Sequence, residues 1–137
     1  MFLVDTNVLS ETTRRAPSAA VLRWLAAQPR VQLSVISVLE LEHGISRLDD
    51  GVKRARLTQW LEQVLTSAAI EVVGVDLAVA RAAGRLKSRL EASGRARPEL
   101  DLIIAATAEV HGAVVATRNT PDFEGLGVPL FDPFSAP

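Results

Sequence analysis

Short apolar segments alternate with longer amphipathic ones along this chain, and this alternation limits the folds open to it. Strands are predicted at residues 2–4, 31–36, 70–75, 113–117 and 128–131. The segments between them carry apolar residues at helical spacing. Strands that alternate with helices form a mostly parallel sheet covered by helices on both faces. We therefore predict an α/β fold with four to five strands, the last of them at an edge because it contains Pro129.

Local signals divide the rest of the chain into helices and turns. Helices are predicted over residues 17–27, from residue 37 to about 45, over 57–64, from 76 to 90 and over 98–111. Asp76 can cap the fourth of these helices, and Gly112 is a natural stop for the last. Residues 117–123 have a composition typical of a turn. With no internal repeat and no linker, the prediction is a single domain over residues 1–137.

The composition excludes several classes of protein. Of the 137 residues, 48% are hydrophobic, which is enough to build a buried core. The sequence contains no cysteine, so it has neither disulfides nor a thiolate zinc site. No apolar run approaches the roughly 18 residues of a membrane-spanning helix, and Asp5 follows the first apolar residues at once, unlike in a signal peptide. We expect a cytoplasmic protein that does not contact the membrane.

The charge balance limits how this chain could bind nucleic acid. With 15 Lys and Arg against 16 Asp and Glu, its formal net charge is −1. A protein that binds nucleic acid through phosphate neutralisation alone is usually more basic. Any function on RNA must therefore use a local basic patch or a bound cation.

Three acids lie at predicted strand ends or helix starts, and each also has a purely structural explanation. Asp5 can cap a helix, and Glu40 can complete an S-x-x-E capping box with Ser37. Asp101 lies in a first helical turn, where the helix dipole favours an acid. The residues after it, 102–106, are nearly all apolar, so its helix is expected to be buried. A buried acid there needs a partner or a metal.

Considered together, these acids predict a metal site. In parallel sheets, sites form outside the carboxyl ends of the strands, and the predicted topology places all three acids at that edge. Carboxylates brought close without a cation raise one another's pKa. Oxygen ligands suit Mg²⁺, or Mn²⁺ as a substitute, and such an ion can activate water and neutralise charge on a phosphodiester. We predict that Asp5, Glu40 and Asp101 bind this ion.

Other catalytic chemistries lack their usual signatures in the sequence. His43 and His111, the two histidines, lie within helical segments, which argues against a two-histidine nuclease. There is no G-x-x-x-x-G-K-[ST] loop, and the first strand is not followed by G-x-G-x-x-G. ATP hydrolysis and dinucleotide binding are therefore not indicated.

Four segments occur in a recognisable order. They are FLVDTNVLSE at residues 2–11, ELEHG at 40–44, DLIIAATA at 101–108 and VATRN at 115–119. The series resembles the PIN-domain ribonuclease toxins of the VapC family, from VapBC toxin–antitoxin systems, and in particular their FitB-like branch. The likeness spans essentially the whole chain. The family pattern E-L-x-x-G selects Glu40 rather than Glu42 as the site acid.

One position departs from the family pattern. Many relatives carry aspartate where this chain has Asn119, which can coordinate an ion or position a water but adds no negative charge. Asp122, three residues later, is the alternative source of a fourth acid. Asn119 and Asp122 are therefore both predicted as catalytic-site candidates beside Asp5, Glu40 and Asp101.

The resemblance implies a three-layer α/β/α PIN domain with a Mg²⁺-dependent endoribonuclease site. It also implies a toxin that is inhibited by a cognate VapB- or FitA-like antitoxin, and it implies a homodimer. Two alternatives stay open. One is a catalytically silent PIN-like module that binds RNA or protein, which Asn119 would favour. The other is a receiver-like phosphoacceptor domain, which shares the alternating topology and an aspartate after a strand.

Basic residues suited to RNA phosphates occur in three places. Arg14 and Arg15 follow the first strand, Arg95 and Arg97 precede Asp101, and Arg81, Arg85 and Arg89 recur at helical spacing. Solvated surface charge explains each set equally well. The sequence has no tyrosine and few other aromatic residues, so base stacking is not indicated as a mode of recognition.

Overall fold

A sheet of five parallel strands forms the centre of the computed structural model, which describes residues 1–136. The strands are β1 (Phe2–Val4), β2 (Val31–Ser34), β3 (Ile70–Val73), β4 (Val114–Ala116) and β5 (Leu130–Phe131). Their order across the sheet is β3-β2-β1-β4-β5. The predicted strands are confirmed, as is the edge position of the last one.

Helices fill the connections between the strands. They are α1 (Thr6–Ser10), α2 (Ala19–Ala27), α3 (Val35–Ser46), α4 (Val52–Thr66), α5 (Leu77–Ala92), α6 (Glu99–His111) and α7 (Thr120–Phe123). Short 3₁₀ turns, Glu11–Thr13 and Pro133–Ser135, follow α1 and β5. As predicted, Asp76 caps α5 by accepting the amide of Val79, and Gly112 ends α6 with a φ of 62°. Within residues 1–136, no helix combines the length and the apolar character that a bilayer span needs.

Three local elements differ from the prediction. Helix α3 begins at Val35 because the hydroxyl of Ser34 accepts the amide of Ile36, so the predicted capping box between Ser37 and Glu40 does not form. Residues 6–10 form α1, a short helix that is absent from the predicted helix ranges although Asp5 was expected to be able to cap one; its carboxylate accepts the amide of Thr6. Residues 120–123 form one helical turn instead of an open turn.

The two faces of the sheet are covered by different helices. Side chains alternate along a strand, so Leu3 and Val4 point to opposite faces. Leu3 belongs to the cluster that contains buried residues of α5 and α6, among them Leu86 and Ile104. Val4 belongs to the cluster that contains buried residues of α1, α2 and α4: Val8, Val21 and Val64. The structure is therefore the three-layer α/β/α sandwich that the sequence resemblance implied.

The strand order leaves a crevice between β1 and β4. From β1 the chain builds outward through β2 and β3, then returns to add β4 and β5 on the other side of β1. Open α/β sheets bind ligands at such a reversal, outside the carboxyl ends of the strands. Val4 pairs in register with Ala116, which places Asp5 level with Thr117 at this point. Receiver domains have the order 2-1-3-4-5, so the receiver-like alternative is wrong.

Leu33 provides a test of the core, because its side chain is completely buried at the centre of β2. Replacing it with alanine should lower the free energy of unfolding by about 2–5 kcal/mol, through lost burial and the cavity that remains. Leu77, at the start of α5, is 74% exposed and serves as the matched control, with an expected change within about 0.5 kcal/mol. Urea denaturation of both variants measures the difference. Equal losses in the two variants would contradict this description of the core.

Candidate active site

Asp5 is fixed at the carboxyl end of β1 by hydrogen bonds to both of its carboxylate oxygens. Its Oδ1 accepts the amide of Thr6 at 2.8 Å, which caps α1. Its Oδ2 accepts the hydroxyl of Thr117 at 2.8 Å and Nδ2 of Asn7 at 3.1 Å. The residue is only 8% exposed. Asp5 thus has both roles proposed for it from the sequence: one oxygen caps a helix and the other lies at the crevice between β1 and β4.

Helix α3 brings Glu40 back to the end of β1. The hydroxyl of Thr6 donates to Oε1 of Glu40 at 3.1 Å, so two residues that are 34 positions apart are joined. Glu40 is half-buried, whereas Glu42 on the same helix is exposed. The structure therefore separates the two glutamates and places Glu40 beside Asp5, as the sequence predicted.

Asp101 and Asp122 complete the group of acids. Asp101 lies half-buried in the first turn of α6, and Asp122 lies in α7, after β4. The charge of Asp122 raises the pKa of both Asp5 and Asp101. Asn119 precedes α7, is exposed, and makes no capping hydrogen bond with its side chain. Of the two candidates for the fourth position, Asp122 is therefore the one that adds negative charge to the site.

Burial and mutual repulsion raise the pKa of three carboxyl groups in this site. The pKa of Asp5 is raised mainly by burial, partly offset by its hydrogen bonds from Thr117, Thr6 and Asn7. Burial also raises the pKa of Glu40, and the charges of Asp5 and Asp101 add to the increase. For Asp101, burial is again the largest cause, followed by Asp5 and Asp122, and Arg97 partly offsets them by lowering the pKa. Acids that disfavour one another's ionisation in this way are stabilised by a cation.

The donor set of this site fits a hydrated divalent cation. Within residues 1–136, no group of three or more acidic or histidine side chains is arranged to hold a metal ion directly. The carboxylates nevertheless act on one another's pKa and offer only oxygen donors. Mg²⁺ usually keeps several waters and binds proteins through one or two carboxylates, so a site made of carboxylate oxygens suits it.

Two arginines connect the segment before α6 to the segment after α7. Nη2 of Arg97 donates to the carbonyl of Glu124 at 3.4 Å. The guanidinium of Arg95 lies against Gly125, whose φ is 80°, and a Cβ there would collide with it. Glycine suits position 125 because of its backbone conformation, whereas the flexible end of the Arg95 side chain can move aside for a Cβ. These contacts join the start of the segment that carries Asp101 to the end of the segment that carries Asp122.

Asn7 is the member of this site that the sequence reasoning missed. Its Nδ2 donates to Asp5, and its Oδ1 accepts the backbone amide of Arg118 at 3.1 Å. It therefore joins the connection after β1 to the connection after β4. The D-T-N motif signalled this residue, but a partner 111 positions away cannot be read from a motif. The two histidines, His43 and His111, are exposed in the last turns of α3 and α6, away from the acids' strand ends.

The raised pKa of Glu40 predicts a pH effect on stability. A carboxyl whose folded pKa lies above its ordinary value of 4.5 binds more protons in the folded state, so stability falls as the pH rises from about 4.5 through the folded pKa. Glu40→Gln removes this loss and can still accept the hydroxyl of Thr6. Its stability relative to the natural chain should therefore increase between pH 4 and pH 7 in urea denaturation. Glu42→Gln, on the exposed side of the helix, should show no such increase, and equal behaviour of the two variants would contradict the argument.

Asn7 predicts a second measurable effect. Asn7→Ala removes the hydrogen bonds to Asp5 and to the amide of Arg118, and should lower the free energy of unfolding by about 1–3 kcal/mol. Asn119→Ala, which replaces an exposed asparagine in the same crevice, should change it by less than about 0.5 kcal/mol. Urea denaturation at neutral pH compares them. If both variants are as stable as the natural chain, Asn7 does not hold the two connections together.

Comparison with known proteins agrees with this geometry. The family model for the PIN domain matches residues 2–126. The VapC ribonuclease Y4jK of Sinorhizobium fredii is 38% identical over 137 residues, which cover 98% of each chain. Toxin FitB of Neisseria gonorrhoeae is 37% identical, with 98% of this chain and 99% of FitB covered. The crystal structure of FitAcB from Neisseria gonorrhoeae has a TM-score of 0.87 at 36% identity, covering 98% of this chain and 99% of the solved one.

The family model spans all four acids, and the relatives match this chain from end to end. The chain therefore belongs to the PIN domain family, among relatives of the VapC and FitB kind.

Proposed function

We propose that this chain is a metal-dependent endoribonuclease and the toxin of a toxin–antitoxin pair. The observation that carries the proposal is the gathering of Asp5, Glu40, Asp101 and Asp122 at the β1–β4 crevice. Each of the first three has its pKa raised by the charge of at least one of the others. The names of its relatives, a VapC ribonuclease and the toxin FitB, support the same activity and role.

In this proposal Asp5, Glu40 and Asp101 hold Mg²⁺, or Mn²⁺ in its place, and Asp122 adds charge beside them. When bound, such an ion supplies an activated water and neutralises charge on the phosphodiester. The protein's own contribution is orientation. Thr117 and Asn7 fix one oxygen of Asp5, and Thr6 fixes one oxygen of Glu40. The exposed amide of Asn119 is available to position a water or a phosphate oxygen at the mouth of the crevice.

The proposed partner is a FitA- or VapB-like antitoxin that covers the acids. Structures similar to this chain include FitAB bound to a DNA fragment, with a TM-score of 0.87. An antitoxin suited to this site would offer a cation to the carboxylates, since an unpaired acid group is its dominant electrostatic feature. A cytoplasmic location, expected from the composition, and a homodimeric assembly, implied by the resemblance, accompany this proposal as predictions. Sedimentation of the purified chain tests the homodimer.

RNA cleavage by the purified chain tests the proposal directly. Incubation of total RNA with Mg²⁺ or Mn²⁺ should yield discrete fragments, and EDTA should prevent them. Asp101→Asn should reduce cleavage by about a hundredfold or more, because charge stabilisation through a metal is worth several kcal/mol and each 1.4 kcal/mol is tenfold. Glu42→Gln, a change of the same charge on the exposed side of α3, should cleave like the natural chain.

Two results would contradict the proposal. Cleavage that persists in Asp101→Asn would mean that the acids do not form the catalytic site. Metal binding without any cleavage would favour the silent PIN-like module instead, with RNA or a protein as its ligand. Binding of the ion itself is measured separately, as an increase in the melting temperature of the natural chain with Mg²⁺.

A further inference from the structure

A second charged region of the molecule has the opposite sign to the acid site. A cleft of about 1010 Å³ opens between the segment that follows α1 and the start of α4. Four cations line it: Arg14, Arg15, Lys53 and Arg56. The lining within the described residues includes no acid and no aromatic side chain. We refer to this region as the basic cleft.

Three of the four cations are free to bind an external anion. Arg14 pairs with the buried carboxylate of Glu11 at 3.2 Å, which fixes this wall of the cleft. Across residues 1–136, no acid lies within ion-pair distance of Arg15, Lys53 or Arg56. Arg54, on the same helix, pairs instead with Asp50 at 2.8 Å. The basic cleft is thus an uncompensated concentration of positive charge in a chain whose net charge is −1.

Both walls of the basic cleft belong to stretches of chain that start at the acid site. Arg14 follows α1 and its 3₁₀ turn, which begin beside Asp5, and their combined rise is about 13 Å. The other wall follows α3, whose last residue lies about 9 Å along the helix from Glu40. Helix α4 packs against α3 through Leu41, Ile45 and Leu61, so its start is held near the end of α3. The cleft therefore lies within a few nucleotides' reach of the acids.

We propose that the basic cleft binds the sugar–phosphate backbone of single-stranded RNA and guides it to the acids. This inference rests on the proposed function and adds the surface that holds the substrate. The acid group repels a phosphodiester backbone, so the chain needs positive charge elsewhere to retain RNA. The ammonium of Lys53 and the guanidinium of Arg56 can both donate hydrogen bonds to phosphate oxygens. Because the lining has no aromatic side chain on which bases could stack, the expected contacts are to the phosphate backbone.

The salt dependence of RNA binding tests this proposal. Fluorescence anisotropy of a short labelled single-stranded RNA in EDTA, which prevents cleavage, gives the affinity across a series of salt concentrations. Each phosphate contact in a single strand contributes about 0.7 to the slope of log affinity against log salt. The double variant Lys53→Ala with Arg56→Ala should therefore reduce the magnitude of this slope by about 1.4. Both side chains are exposed, and an unchanged urea transition confirms that the variant is folded.

Arg54→Ala is the control for position. It removes one positive charge, where the double variant removes two, from a position on the same helix outside the cleft, so its slope should equal that of the natural chain. In the presence of Mg²⁺, the cleft variant should also raise KM for RNA cleavage with little change in kcat.

Each outcome decides for or against the basic cleft. An unchanged slope in the double variant overturns the proposal, as does an equal decrease in Arg54→Ala. If the double variant loses affinity for an acidic peptide but keeps its affinity for RNA, the proposal is overturned in favour of a protein ligand. RNA binding that depends on the cleft, in a chain that cleaves no RNA, keeps the cleft and refutes only the nuclease function. If the double variant cleaves RNA with a normal KM, the nuclease function stands and the role of the basic cleft is refuted.

Discussion

One hydrogen bond holds the site together: the hydroxyl of Thr117 donates to Oδ2 of Asp5 at 2.8 Å, across the point where the strand order reverses. Both residues are buried. The bond is possible because β1 and β4 are parallel neighbours in register, so their next residues are level. Without it, a buried carboxylate would lose its best-placed donor in a region where an unsatisfied charge is costly. The orientation of Asp5 at the crevice therefore depends on the register of β1 and β4 and on this contact.

Charge explains why the acids need so many polar neighbours. Burial disfavours ionisation of Asp5, Glu40 and Asp101, and their mutual repulsion adds to it. The hydrogen bonds from Thr6, Asn7 and Thr117 partly offset these effects for Asp5 and Glu40. Placing these carboxylates close together lowers the stability of the fold locally, as is common at catalytic sites. The compensating energy comes from the two apolar clusters on either face of the sheet.

The strands, the edge position of β5 and the location of the acids could be predicted from the sequence, because strand ends and apolar periodicity are local properties. The sequence was not sufficient for α1 or for the start of α3, because caps at Asp5 and Ser34 compete with equally good caps nearby. It also left Asn119 and Asp122 as alternatives, and only the structure shows that the charge of Asp122 acts on Asp5 and Asp101. The role of Asn7 depends on the backbone of Arg118, and such long-range pairing appears only when the sheet is assembled.

Chain connectivity has a consequence for synthesis. Asp5 and Thr117 are 112 positions apart, and the strand beside β1 on that side is β4. During translation the chain emerges from its N-terminus, and domains fold as units. Asp5 is thus synthesised early, but its buried hydrogen bond from Thr117 cannot form until β4 and Thr117 have left the ribosome. A nascent or truncated chain that ends before β4 lacks the crevice altogether. The geometry of the acid site is therefore completed by one of the last segments of the chain to be synthesised.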